Sequence, residues 1–406
     1  MQQARWGGWV LIWLVGCMLW WSSGEPTASA SSLNWTVPPA PPLLQNRNFE
    51  CADGFVSGTN SIGDEILVPI GWTLILSDSA PIVSSTRRFY GKSCGTDEPV
   101  FIERLEGYDS LLVRSQDIET PPTPGKPFDV ILYQQVPATY GGAYSLSAWM
   151  ISLCGTKSRP FDCPPNNYIV KAIGIDPHGG TQPEAKDIEW VENRANFVDL
   201  DGRPVGWQNL STSATALSST ITIFARMTSP FQFHGNMGFM DAFSLVRAPL
   251  SEMEALPAQI EGAGGIVLKW FGQQSTDIDN VPDGTHQLLF DVQWRKVPDG
   301  EWNDVVSSTT QVSTTFRAPC LDTSYEFRVR ARAEQPPAPP DGAWPNHRYP
   351  GVWSKPQTVL FTAPELVPTP TVPITSTVPV TSIAPISVSL YLPMMEQNSR
   401  RSDVGC

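Results

Sequence analysis

The chain has 406 residues and a formal net charge of −13, with 40 acidic against 27 basic side chains. That balance excludes nucleic acid as an expected partner, because a phosphate backbone calls for a basic face. Charged residues make up only 17% of the chain, while 39 Pro, 31 Gly and 15 Trp stand out. This is the profile of short strands joined by many turns.

Residues 1–30 read as a secretory signal: Arg5, an apolar run from Trp9 to Trp21, then small residues through Ala28-Ser29-Ala30. The run is short for a membrane span, and no other segment suits one. Cys17, in Leu14-Val15-Gly16-Cys17, offers lipidation as an alternative, and an uncleaved anchor is another, so a membrane would be met only through the N-terminus. Residues 31–43 form a Pro/Ser-rich spacer. Two domains are expected, at 44–248 and 252–362. A Pro/Thr-rich linker follows at 363–386, extended and solvated because it cannot bury a core, and a tail at 387–406. The cysteine spacings match no zinc site. In an oxidising compartment Cys154 pairs with Cys163 across a short loop and Cys51 with Cys94. Cys320 and Cys406 are left over, either free or paired between chains.

In the first domain, alternation along residues 129–136 puts Val130, Leu132 and Val136 on one face and Asp129, Tyr133 and Gln135 on the other. Residues 144–150 turn Tyr144, Leu146, Ala148 and Met150 inward, leaving Ser145, Ser147 and Trp149 outward. Residues 220–226 turn Ile221, Ile223 and Ala225 inward, leaving Thr222, Phe224 and Arg226 outward. The outward set Tyr133, Gln135, Trp149, Phe224 and Arg226 makes a candidate carbohydrate face. Aromatic planes stack on the C–H faces of sugar rings, while amide and guanidinium groups bond hydroxyls. The competing reading covers these aromatics with loops or with the next domain.

Residues 238–245 read as a strand with Phe239, Asp241, Phe243 and Leu245 on one face. A carboxylate in such an apolar face needs a cation or a set of donors. Glu50 is its partner if the first and last strands of one sandwich lie side by side. Gly174-Ile175-Asp176-Pro177-His178-Gly179-Gly180 reads as a tight turn, with Asp176 bonding the following N–H groups. His178 is then an exposed turn residue or, alternatively, a ligand contact. Residues 184–195 have some helical propensity, opposed by Pro183 and the surrounding strand signals.

Asn48-Phe49-Glu50, Pro69-Ile70-Gly71-Trp72, Gln134-Gln135-Val136, Tyr144 to Trp149 and Phe239 to Leu245 occur in that order. Together they resemble jelly-roll carbohydrate-binding modules with a galactose-binding-domain-like fold, over nearly all of residues 44–248. The resemblance implies a non-catalytic glycan binder. It also implies a structural calcium near the joined termini, with Glu50 and Asp241 giving carboxylates and backbone carbonyls completing the shell. The segment 77–100 and the insert around Cys154–Cys163 depart from that pattern.

The second domain offers alternating strands at residues 266–271, with Trp270 inward, and at 290–296. A third strand, 325–331, turns Tyr325, Phe327, Val329 and Ala331 inward and Glu326, Arg328 and Arg330 outward. Leu321 precedes Tyr325 by four residues, as in a tyrosine corner, and Gly351-Val352-Trp353-Ser354 begins a last strand. These elements resemble a fibronectin type III domain, which implies a spacer or a protein-binding unit. Arg328, Arg330 and Arg332 beside Trp294 read as an ordinary solvated face, with a stacked Trp–Arg ladder as the alternative.

No Gly-x-Ser-x-Gly, His-Glu-x-x-His, Walker or dinucleotide motif is present, and the two domains leave no room for a separate catalytic one. The sequence therefore predicts an all-β protein: a jelly-roll β-sandwich followed by an immunoglobulin-like (fibronectin type III) β-sandwich, with disordered termini. Its expected role is a secreted or cell-surface, non-catalytic binder of polysaccharide with a cell-envelope partner. The alternative is a structural or adhesion protein whose jelly roll binds protein or has no ligand.

Overall fold

The computed structural model describes residues 43–61, 63–76, 82–87, 105, 107, 109–114, 128–153, 169–195, 207–229, 237–262, 264–275, 286–335 and 347–364. The signal segment, most of the spacer, Cys94, Cys154, Cys163, nearly all of the Pro/Thr-rich linker and the C-terminal tail lie outside these residues. The described residues are almost entirely strand. The 3-10 turn Cys51–Asp53 is the one helical element among them, and no described helix is long and apolar enough to cross a membrane.

A hairpin of β1 (Phe55–Thr59) and β2 (Glu65–Pro69) precedes the first sandwich. The sandwich uses β3 (Thr73–Leu76), β4 (Ile82–Arg87), β5 (Asp109–Arg114), β6 (Phe128–Pro137) and β7 (Ala143–Leu153). It continues with β8 (Val170–Asp176), β9 (Glu189–Asn193), β10 (Gln208–Thr215), β11 (Thr220–Ser229) and β12 (Met237–Arg247). Two five-stranded antiparallel sheets result, ordered β10-β7-β12-β5-β4 and β3-β6-β11-β8-β9. The chain passes back and forth between them, as in a jelly roll. The alternation read from sequence holds: Val130, Leu132, Val136, Leu146, Ala148, Met150, Ile221, Ile223 and Ala225 all lie in the core between the sheets.

The segment before β1 closes one end of this sandwich. Phe49, fully buried, packs with Trp72 and Phe243 at ring-centroid distances of 5.6 and 5.4 Å. Gln134 clamps the same segment: its Oε1 accepts from the Gln45 amide at 2.8 Å, and its Nε2 donates to the Gln45 carbonyl at 3.2 Å. The Trp72 indole donates to that carbonyl too, and the Phe243 amide donates to the carbonyl of Arg47.

Strand β12 departs from simple alternation. Its pairing with β7 slips between Asp241 and Ser244, and Ala242 takes a positive φ of 52°. Such a bulge shifts the side-chain parity by one. Phe243 and Leu245 therefore face the core, whereas Phe239 packs on the opposite side of the sheet, with Trp149, Leu112 and Trp207. The expectation of Phe239, Asp241, Phe243 and Leu245 on a single face is thus corrected.

The second sandwich comprises β13 (Leu250–Met253), β14 (Gln259–Glu261), β15 (Ile266–Gln273), β16 (Gln287–Lys296), β17 (Asn303–Thr309), β18 (Ser313–Phe316), β19 (Thr323–Glu334), β20 (Arg348–Pro350) and β21 (Gln357–Thr362). A β13-β15-β18 sheet faces a β14-β21-β19-β16-β17 sheet, with β20 paired to β19. Trp270, Phe316, Tyr325, Phe327 and Phe361 fill the space between. The Tyr325 hydroxyl donates to the Cys320 carbonyl and accepts from its amide, the bond expected of a tyrosine corner. Trp294 packs inward on Phe316 and Tyr325. The outer face is no ordinary solvated surface: Trp302 and Trp353 interleave with its arginines.

Only Ala248 and Pro249 separate β12 from β13, and the two sandwiches belong to one compact unit. The second covers part of the outer face of β7 and β10. Ser147, outward as expected, is fully buried there against His347, whose Nδ1 lies 3.0 Å from its Oγ. The Tyr349 hydroxyl donates to Ser244 Oγ at 2.9 Å, and Ser213 Oγ donates to the Gly351 carbonyl at 3.0 Å. His347 stacks on Tyr349, and its Nε2 is buried without a hydrogen bond.

Burial, and then the nearby Arg47 and His286, hold His347 down from its ordinary 6.5 to about 3. The folded state keeps this ring neutral, while a released ring gains a proton. Stability is therefore complete above pH 6.5 and lost as pH falls from there towards 3. Urea unfolding of the wild type should show a deficit of about 2 kcal/mol at pH 5 from this group. His347→Asn should flatten that slope; an unchanged acid slope would count against the assignment.

Candidate functional site

A cleft of about 510 Å³ opens on the outer face of the β3-β6-β11-β8-β9 sheet. Ala172, Ile188, Trp190, Arg226 and Thr228 line it, with the segment 183–186 as one wall. Trp190 gives the cleft an aromatic wall, and behind it Phe224, fully buried and outside the lining, lies between Tyr133 and Trp190 at 5.9 and 5.7 Å. Gly174 makes this possible. A Cβ there would sit 2.8 Å from Ile188 and 2.9 Å from the Trp190 ring, so only glycine lets the indole lie against β8.

Arg226 stands at the side of the cleft and is fixed before any ligand arrives. Its Nε and Nη2 donate to the two oxygens of Asp129 at 2.8 and 2.6 Å, and Thr228 Oγ1 donates to the same carboxylate at 2.7 Å. The hydrogen bonds to Asp129 raise the guanidinium pKa further. Glu184 lies 3.7 Å away on the facing wall. An indole at the wall with a held guanidinium and rim carboxylates can stack on one face of a polar ring and bond its hydroxyls.

Four of the five expected ligand residues share this face. Tyr133 pairs with Phe224 and Gln135 with Thr222 in the β6–β11 register, and Arg226 pairs with Ile131. Gln135 is already engaged, donating to the Gly179 carbonyl at 2.7 Å. Trp149 does not belong with them. It lies on β7, in the opposite sheet, 8% exposed among Leu112, Phe239 and Trp207. Alternation decides inward against outward, but not which sheet owns the outward residue. Trp190 takes the aromatic role instead. Residues 184–188 are turns, and β9 follows, so the weak helical reading gives way to an extended Glu189–Asn193 edge strand paired with β8.

The turn after β8 forms as expected: the His178 amide donates to Asp176 Oδ1 at 2.7 Å, and Gly179 has a positive φ of 73°. His178 itself is about half exposed, 3.7 Å from Asp187.

Glu50 and Asp241 come to one corner of the first sandwich. Asp241 is fully buried on the outer side of its sheet, not in the core. Its Oδ2 accepts from the Leu105 amide and its Oδ1 from the Ala242 amide, each at 2.6 Å. Glu50 Oε1 accepts from the Asp109 amide at 3.3 Å, and buried Asp109 accepts in turn from the Cys51 amide. A side chain at Gly107 would overlap the Glu50 carboxylate. Asp109 escaped the sequence reading because it begins a strand with no motif around it. Among the described residues no group of three His, Cys, Asp or Glu side chains forms a metal cluster. The corner nevertheless offers the hard carboxylate oxygens of Glu50, Asp109 and Asp241, and Asn48, two residues before Glu50 in the chain, has a buried Oδ1 without a hydrogen bond among the described residues. That donor set suits calcium rather than a softer metal.

Cys51 and Cys320 are each disulfide-bonded, so Cys320 is not a free thiol. Both cysteines of the expected Cys154–Cys163 pair lie outside the described residues.

No protein-family model and no curated protein matches the sequence. Among solved structures it is similar to TmCBM61 in complex with β-1,4-galactotriose, at 15% identity and TM-score 0.29, covering 51% of this chain and 99% of that one. It is also similar to a family 16 carbohydrate-binding module, at 12% and 0.20, covering 35% and 79%. A β-1,2-glucanase from Parabacteroides distasonis is similar at 10% and 0.21, covering 72% and 37%. At such scores these likenesses fix neither ligand nor chemistry, and the site rests on its own geometry.

Behind the cleft, Lys171 points from β8 into the sandwich. It is fully buried, donating to Ser152 Oγ at 2.8 Å and to the Ala195 carbonyl at 2.7 Å. Burial lowers its pKa from 10.5 to about 7. Unfolded chains stay protonated here up to about 10.5, so folding stability should rise as pH climbs from 7 to 10. Denaturation at pH 7 and at pH 9.5 should show this rise in the wild type and a flatter profile in Lys171→Met. Equal slopes would place the ammonium in contact with water.

Proposed function

We propose that this protein is a non-catalytic carbohydrate-binding protein, secreted or held at the cell surface, which takes a polysaccharide in the cleft beside Trp190. The observation that carries this reading is one cleft lined both by the Trp190 indole, backed by Phe224, and by an Arg226 already held by Asp129. A pre-positioned donor beside an apolar plane limits what must be ordered on binding. The second sandwich is a fibronectin type III unit in this reading, supported by the Tyr325–Cys320 bonds. Calcium would be held at the corner of Glu50 and Asp241, with Asn48 and backbone carbonyls, where it would tie the first strands to the last.

Trp190→Ala should weaken polysaccharide binding roughly thirtyfold, about 2 kcal/mol, in affinity electrophoresis or calorimetry across a panel of neutral polysaccharides. Trp149→Ala with the fold intact should leave binding unchanged. The adhesion reading draws on a different observation: Leu250, Val267, Phe271 and Val312 on the second sandwich are each more than half exposed. Failure of the wild type to bind any polysaccharide would favour that reading.

The calcium reading is separable. Melting temperature should rise by several degrees in excess calcium over chelator in the wild type and should not respond in Asp241→Asn. An identical melt with calcium and with chelator would remove calcium from the account.

A further inference from the structure

The outer face of the second sandwich carries an alternating stack. The Arg295 guanidinium lies 4.6 Å from the Trp302 ring centroid and Arg328 3.9 Å from it. Arg328 is also 4.2 Å from the Trp353 centroid, and Arg330 is 4.6 Å from that ring. Arg328 is thus the central rung, with an indole on each face.

The counter-groups are uneven. Arg295 pairs with Glu326 through Nε at 2.7 Å and Nη2 at 2.6 Å. Arg330 pairs with Asp291 through Nε at 3.1 Å and Nη2 at 3.0 Å. At the central rung the equivalent partner is a neutral amide: Arg328 Nε and Nη2 both donate to Gln293 Oε1, at 3.1 and 2.7 Å. The other end of that amide donates to Asp304 at 2.9 Å, so Gln293 is held with its oxygen toward Arg328. Among the described residues no carboxylate pairs with Arg328, and its Nη1 makes no hydrogen bond with them.

We propose that the second sandwich carries an oxyanion site at the free edge of Arg328, which takes the carboxylate or sulfate group of an acidic saccharide. Both indole faces hold the guanidinium plane, so the fork is set before an anion arrives, and a planar fork matches a two-oxygen anion. The flanking arginines add to the demand for negative charge: burial and then Arg330 and Arg295 lower the Arg328 pKa to about 10. The guanidinium remains charged at neutral pH, part-buried and without an ionic partner among the described residues, and a bound anion would relieve that. The saccharide identity rests on the carbohydrate reading of the first sandwich; the anion site itself does not.

The test uses the full chain and the guanidinium NMR resonance of Arg328, titrated with sodium glucuronate, with sodium sulfate, and with glucose as the neutral control. Saturable movement with glucuronate assigns a carboxylate ligand, movement with sulfate alone assigns a sulfated one, and glucose should do nothing. Gln293→Glu, made in an Asp304→Asn background so that the new carboxylate does not face a second one, supplies the missing carboxylate from within. It keeps the stack and should abolish the response. Arg328→Lys keeps the charge but loses the fork, and should weaken binding roughly tenfold, read for this variant by calorimetry against the wild type. An Arg328 resonance that ignores both anions, or moves equally in Gln293→Glu, overturns the proposal. Because the readout is local to Arg328, it is independent of whether Trp190→Ala affects neutral polysaccharide.

Discussion

The first sandwich is organised by how its leading segment is pinned across one end. Gln134 exchanges two hydrogen bonds with the backbone of Gln45, while Phe49 fits between Trp72 and Phe243. Buried aromatic side chains of this kind cost roughly 3–5 kcal/mol to truncate, a large share of the stability of any domain. From this anchor the chain delivers Glu50 to the corner where Asp241 is held by the Leu105 and Ala242 amides. The same anchor brings the Arg47 carbonyl to the amide of Phe243, directly after the β12 bulge. The motifs that give the sequence its likeness to carbohydrate-binding modules therefore gather largely at this end, and they describe how such a sandwich is closed rather than what it binds.

Much of the fold was legible because strand alternation has a rigid period. Leu146, Ala148 and Met150 face the core as that period requires, and so do Ile221, Ile223 and Ala225. The period fails in two ways that local sequence does not announce. A bulge at Ala242 reverses the parity of β12, and Asp241 moves from the core to the outer side. Membership of a sheet is a matter of long-range pairing, so Trp149 was grouped with residues that lie across the sandwich from it. Trp190 was hidden in a stretch with mixed signals, and only Gly174 on the neighbouring strand makes sense of its position. On the second sandwich Trp294 faces inward by the same parity that sends Gln293 and Arg295 outward. The indoles of the stack, Trp302 and Trp353, come instead from beyond β16 and from the loop before β21.

The two sandwiches divide the functional surface between them. The first presents a cleft lined by Trp190 and Arg226 on the sheet that β20 does not cover, and the second covers Ser147 and Ser213 on the other sheet. The His347–Ser147, Tyr349–Ser244 and Ser213–Gly351 contacts at this junction join neutral groups, which suits a buried seam. The connector of Ala248 and Pro249 leaves little slack. The second sandwich packs directly on the first through His347, Tyr349 and Gly351.

Hydrogen–deuterium exchange of the full chain, with and without a polysaccharide that it retains, tests the central claim most directly. The account predicts slowed exchange in β8, in the wall at residues 183–186 and in β9, with the Gln45–Gln134 end already protected in both states. Slowed exchange confined to β7 and β10, or to the exposed face of β15, would contradict the placement of the binding site.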